Sequence, residues 1–159
     1  MWAVVALISL TAAAQDWDFG GGYESSRHNF GLEVGVGGTG DVTVDIGVKW
    51  QLNLHEFVAW DVITAKALAD VENDFSDSIT AQLLSGLRLT TPDFSGLSAY
   101  ATAKFGYAYQ FDAEDGSFAY ELGIGINATR RVYFGFAYNT FKIDDIRIKY
   151  NAFRIGFLF

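Results

Sequence analysis

The sequence predicts an all-β protein, an eight-stranded antiparallel up-and-down transmembrane β-barrel. Three observations carry that prediction. Apolar and polar residues alternate with a period of two through most of the 159 residues, the mark of strands with one greasy and one polar face. The chain holds 14 Phe, 8 Tyr, 4 Trp and 17 Gly but a single proline. No apolar run reaches the roughly 18 residues that a membrane-spanning helix needs.

The stretch Val42–Leu54, VTVDIGVKWQLNL, shows the pattern most cleanly. Every second residue from Val42 is apolar, and Thr43, Asp45, Gly47, Lys49, Gln51 and Asn53 lie between them. A tilted strand crosses a bilayer in roughly 9–11 residues, and this one is long enough.

Taken in order, the chain opens with MWAVVALISLTAAA at 1–14, an apolar stretch ending in an A-x-A-like cleavage site before Gln15. It reads as a secretory signal peptide. The basic residue such signals carry at their start is absent, which leaves a start upstream of Met1 open; a buried N-terminal helix or strand is the other reading. Residues 15–28, with Gly20-Gly21-Gly22, form a lead-in without sustained alternation. The barrel domain is expected over 29–159.

Strand one is expected at 29–37, with Phe30, Leu32, Val34 and Val36 opposite Gly31, Glu33, Gly35 and Gly37. Gly38–Asp41 turns into strand two at 42–54, and His55-Glu56 turns into strand three at 57–67. Strand three puts Val58, Trp60 and Val62 on one face and Ala59, Asp61 and Ile63 on the other, with the pattern fading by Lys66. The longest loop follows at 68–77, with a helical turn possible over 66–72. Strand four is expected at 78–91, and Pro92–Gly96 is a turn signal. Strands five and six, at 97–111 and 117–128, flank an acidic loop at 112–116. Thr129–Arg131 leads into strand seven at 132–141, and a loop at 142–145 into strand eight at 146–159. A phase shift near Asn151 suggests a bulge there.

Eight is an even number, so the first and last strands can close antiparallel with both termini at one end. The loops at the opposite end hold most of the loop acids.

The same alternation would serve a soluble lipocalin-like barrel with its greasy face inward. Glycine and charge placement favour the inverse. Ten of the 17 glycines fall on the polar face, among them Gly31, Gly35, Gly47, Gly86 and Gly125. Glycine is a poor residue for a water-facing strand, but it suits a narrow eight-stranded lumen. The polar face also carries Glu33, Asp45, Asp61 and Glu121 against Lys49, Arg88, Lys104 and Arg154, a balanced set. A closed lumen requires such balance, because a buried charge is costly unless paired. The apolar face is expected to be free of charge outside strand three. Aromatics band at two levels, Tyr107, Tyr109, Phe111, Phe118, Tyr120 and Tyr138 at one, Trp50, Trp60, Phe134, Phe157 and Phe159 at the other. Such girdles mark lipid–water interfaces.

These strands, the run GIGINATRRVYFGFAYN at 123–139 and the closing AFRIGFLF at 152–159 resemble the small eight-stranded bacterial outer-membrane barrels. That group includes the outer-membrane protein A and X barrels, the opacity-type adhesins and the broad outer-membrane β-barrel domain family. The resemblance spans about 29–159. It implies a Gram-negative outer-membrane location with both termini periplasmic, and outer-membrane lipid and lipopolysaccharide as surroundings. In that family a terminal Phe preceded by alternating aromatics is read by the barrel-assembly machinery, and Phe153, Ile155, Phe157 and Phe159 fit that signal. A merely lipid-facing last strand gives the same pattern.

The remaining chemistry is sparse. There is no cysteine, so disulfides and thiol chemistry are excluded. The formal charge of −8 argues against nucleic acid as a partner. His28 and His55 are the only histidines, one in the lead-in and one in a turn. The outer-membrane enzymes of this architecture, lipid A acyltransferases and deacylases and the omptin proteases, need His, Ser or acid clusters toward the outer rim. The acidic runs at 70–77 and 112–115 do not follow the EF-hand spacing. No catalytic residue, metal or cofactor is therefore assigned. The expected protein is a monomeric, non-enzymatic barrel with a polar-plugged lumen, serving envelope integrity or presenting adhesin-like loops. A soluble ligand-binding barrel and a lipid-modifying membrane enzyme are the alternatives.

Overall fold

The computed structural model describes residues 27–38, 42–70, 79–143 and 145–159. Eight strands follow one another: β1 (His28–Gly38), β2 (Thr43–His55), β3 (Val58–Asp70), β4 (Thr80–Thr90), β5 (Ser98–Gln110), β6 (Asp115–Asn127), β7 (Val132–Ile143) and β8 (Ile146–Leu158). Each pairs antiparallel with its sequence neighbour, and β1 pairs with β8 to close the barrel. Closure leaves no unpaired sheet edge, as strands in lipid require. The seam is completed at the last residue, where Phe30 and Phe159 exchange backbone hydrogen bonds of 3.0 and 2.8 Å. The signal peptide expected at 1–14 and residues 15–26 of the expected lead-in lie outside the described residues.

The β2–β3 and β4–β5 connections and the 128–131 segment share one end with the start of β1 and with Phe159. The β4–β5 connection tightens into a bridge between Phe94 and Leu97, with Ser95 and Gly96 at φ 56° and 85°. Positive φ at both central residues is the geometry of a primed hairpin turn, which glycine adopts without steric cost.

Alternation decides which way each residue points. Ile46 and Val48 are 49% and 57% exposed on the outer wall, while their neighbours Asp45 and Lys49 are buried inside. Leu83, Leu87, Phe105, Leu122, Ile124 and Phe136 extend the same exposed apolar wall around the barrel. The greasy face is therefore outside, opposite to a lipocalin-like arrangement.

Three local expectations are corrected. Strand three does not fade by Lys66, and residues 66–70 are strand where the sequence allows a helical turn: β3 runs to Asp70, with its register shifted between Asp61 and Thr64. That bulge flips the phase, so Ile63 faces outward with 44% exposure, and Thr64, Lys66 and Leu68 point inside. Second, β8 has no bulge near Asn151. Its pairings with β7 and β1 run without interruption, and Tyr150, Ala152, Arg154 and Gly156 alternate inward throughout. Third, the hairpins of the far end reach higher than expected. β6 begins at Asp115 and β7 continues to Ile143, shortening the loops at 112–116 and 142–145.

The apparent phase shift in β8 has a physical cause. Near the far end the two faces exchange character. Inside, Leu68, Leu84, Ala108, Ala119, Phe141 and Ile143 form a buried apolar cluster with Tyr150 and Ala152. Outside, Lys142, Arg147, Lys149 and Asn151 are exposed. The outer wall is thus not free of charge at this end. β7 and β8 run on past their lipid-facing portion and there adopt the polarity of a soluble barrel.

Candidate functional site

Below the apolar layer, all eight strands send polar or charged side chains into the lumen. Glu33 comes from β1, Asp45 and Lys49 from β2, Asp61 from β3, Arg88 from β4, Lys104 from β5, Glu121 from β6 and Arg154 from β8, all buried. Each sits on the inward parity of its strand, so the polar residue at every second position is what gathers them. β7 contributes Tyr133 and Asn139.

The charges interlock across the barrel. Glu33 lies 3.3 Å from Lys49, 3.6 Å from Lys66, 3.6 Å from Lys104 and 3.9 Å from Arg154. Glu121 faces Arg154 at 2.9 Å and Lys104 at 3.5 Å, and is paired with Lys66. Lys104 also reaches Asp61 at 3.2 Å, and Arg154 reaches Asp45 at 3.1 Å. Glu33, Glu121, Lys66, Lys104 and Arg154 each have two or more counter-charges, which offsets the desolvation cost of holding them out of water.

Lys66 is the residue that sequence reasoning missed. The bulge at Asp61–Thr64 disguised its inward phase, and the only local signal was the mismatch in alternation itself. With Lys66 the described lumen holds five cations and four anions. Arg88 is accommodated differently. Its guanidinium lies 3.8 Å from the Tyr100 ring centre and 4.4 Å from that of Tyr133, and it donates to Asn127. Lys49 Nζ stands 4.4 Å from the Tyr133 ring centre, and the Tyr133 hydroxyl donates to Glu33. Cation–π contact of this kind holds a charge without a carboxylate.

Neutral groups finish the packing. Gln51 donates to Asp61 at 2.9 Å, and Asn139 donates to Gln82 at 2.8 Å. Glycines make room for the rings, since a Cβ on Gly156 would strike Tyr133 and one on Gly135 would strike Tyr100. The space left among Glu33, Arg88, Tyr100, Lys104 and Tyr133 is 10 Å³, room for about one water.

Phe153, Ile155, Phe157 and Phe159 all take the outward parity of β8 and its end, with Phe153 and Phe159 exposed. The two histidines do not converge. The His28 ring stacks on Trp50, whose indole N–H donates to His28 Nδ1 at 3.3 Å. His55 Nδ1 accepts from the Phe57 amide at 3.4 Å.

A closed antiparallel barrel with an apolar outer wall and an ion-paired lumen is a transmembrane β-barrel. Residues 3–159 match the model of the outer membrane protein beta-barrel domain, and the chain belongs to that family. It is accordingly an outer-membrane barrel of the Gram-negative type. Curated proteins yield no match to the sequence. Among solved structures, the crystal structure of Neisserial surface protein A (NspA) is similar with a TM-score of 0.68 at 10% identity, covering 84% of this chain and 96% of that one. The outer membrane enzyme PagL is similar with a TM-score of 0.58 at 10% identity, over 82% of this chain and 97% of its own. The N-terminal β-barrel domain of Pseudomonas aeruginosa OprF follows the same path with a TM-score of 0.54 at 13% identity, over 82% and 97%. At such identities the likeness is one of fold.

Proposed function

We propose that this protein is a non-enzymatic, monomeric envelope barrel that stabilises the outer membrane or presents its far-end loops to the exterior, and does not conduct solutes. In this reading residues 1–14 are removed as a signal peptide. Both termini are periplasmic, and Phe153, Ile155, Phe157 and Phe159 are read by the barrel-assembly machinery during insertion into a bilayer of outer-membrane lipid and lipopolysaccharide. The observation that carries the reading is the filled lumen. Ions from seven strands close the middle of the barrel, an apolar layer closes the far end, and the cavity among Glu33, Arg88 and Tyr133 has room for about one water. A path for hydrated solutes needs a continuous aqueous lumen, which narrow barrels of this size lack. The engagement of His28 by Trp50 and of His55 by a backbone amide supports a non-catalytic role for both.

The test is planar-bilayer conductance of the purified, heat-modifiable barrel, paired with detergent sensitivity of cells lacking it. Baseline conductance together with increased sensitivity is expected. A steady open-channel current would overturn the reading.

A further inference from the structure

The outward residues of the β7–β8 hairpin form a ladder of directly opposed pairs: Val132–Phe157, Phe134–Ile155, Phe136–Phe153, Tyr138–Asn151, Thr140–Lys149 and Lys142–Arg147. The first three pairs are apolar and the fourth is of the mixed kind found at a lipid–water interface. The fifth sets exposed Lys149 against Thr140, which is buried and donates to the Ile148 carbonyl, and the sixth sets two cations against each other. Successive pairs lie about 7 Å apart along the strands, so the cations begin one step above the interface pair. Inward, the same hairpin changes from Arg154 to Ala152, Tyr150 and Ile148, so both faces place the membrane boundary near Tyr138 and Asn151.

Lys142, Arg147 and Lys149 are the only Lys or Arg on the outer wall at the far end among the described residues. They occupy one strip of wall in a chain of net charge −8. Lys142 stands directly opposite Arg147, and like charges so placed repel. Of the acids whose side chains are described at this end, Asp112 and Glu114 lie in the β5–β6 connection, Asp145 lies in the β7–β8 turn, and Asp115 takes the inward parity at the start of β6, so none belongs to the outward strip. Cations set at the lipid edge, below acids, are complementary to anionic groups fixed at headgroup depth.

We propose that Lys142, Arg147 and Lys149 form a binding site for the phosphate of a membrane lipid headgroup. The inference rests on the membrane reading above and adds a ligand class to it. Their long side chains can lean along the wall toward the interface, and one phosphate between Lys142 and Arg147 would relieve their mutual repulsion.

The test refolds the full chain into phosphatidylcholine vesicles containing spin-labelled phosphatidic acid or spin-labelled phosphatidylcholine, and reads the motion-restricted fraction of each. The wild-type barrel is expected to restrict phosphatidic acid several-fold more than phosphatidylcholine, with the preference falling as salt is raised. The combined change Lys142→Gln, Arg147→Gln and Lys149→Gln is expected to remove most of that preference. Arg130→Gln with Arg131→Gln, at the opposite rim, should remove little of it, and Lys142→Arg with Lys149→Arg should retain it. Unchanged preference in the triple variant, an equal loss from the opposite-rim pair, or abolition by inorganic phosphate at constant ionic strength would each overturn the site. Heat-modifiable mobility on the same samples separates this failure from failure of the barrel to insert, and the single change Arg147→Gln gives the same readout should the triple variant insert poorly.

Discussion

Glu33 and Lys104 rise from β1 and β5, opposite walls of an eight-stranded cylinder, and meet in the middle with Nζ 3.6 Å from Oε1. That contact spans the full width of the barrel. It ties together strands that share no backbone hydrogen bond, and Glu33 adds Lys49, Lys66 and Arg154 to the same knot.

Glu33 is therefore the residue whose loss should cost most. Glu33→Gln keeps the shape but leaves four buried cations sharing fewer anions, and breaking a buried ion pair on one side costs about 3–5 kcal/mol. Urea unfolding in lipid vesicles, read by the heat-modifiable gel shift, should show that loss. A variant as stable as the parent would mean that water reaches the lumen.

Outward positions obey the opposite rule. Ile46→Arg places a cation on the apolar wall and should destabilise the inserted barrel by about 2–4 kcal/mol if it sits near the midplane. Ile46→Leu should leave the urea midpoint unchanged. Equal stability of the two variants would show that this wall faces water.

The bulge in β3 sets the phase of everything beyond it. Deleting Val62 removes the extra residue and leaves Thr64, Lys66 and Leu68 inward in straight alternation, whereas inserting an alanine between Thr64 and Ala65 should turn Lys66 and Leu68 toward lipid. Loss of the heat-modifiable folded form is the expected result for the insertion, and the deletion variant should keep that form. Normal folding of the insertion variant would show that the register can be repaired elsewhere.

Gly156 tests how tightly the rings are seated. Gly156→Ala drives a methyl into the Tyr133 ring, which lies against both Lys49 and Arg88. Forcing a group into a packed interior costs about 1–3 kcal/mol. The urea midpoint should fall accordingly, and Tyr133→Ala introduced together with it should recover part of the loss caused by the clash.

Much of this was legible along the chain, because a strand has a period of two and a membrane barrel must divide its residues between oil and interior. Eight inward charges could be named one by one from parity. Lys66 could not, since one extra residue in β3 reverses the phase without any motif to announce it. The polar outer face of Arg147, Lys149 and Asn151 resembled a bulge for a related reason. Parity reports which residues share a face, and it does not report where along a strand the surroundings change from lipid to water.

The one-dimensional pattern of this protein thus determined its strand number, its antiparallel order and which residues share a side, all of which follow from local alternation. Only the closed barrel decided who pairs with whom inside, because Glu33, Lys104, Glu121 and Arg154 are far apart in the chain and meet through curvature. It also decided the level at which greasy and polar faces change places. That level depends on the stagger of whole strands against one another, and no single strand contains it.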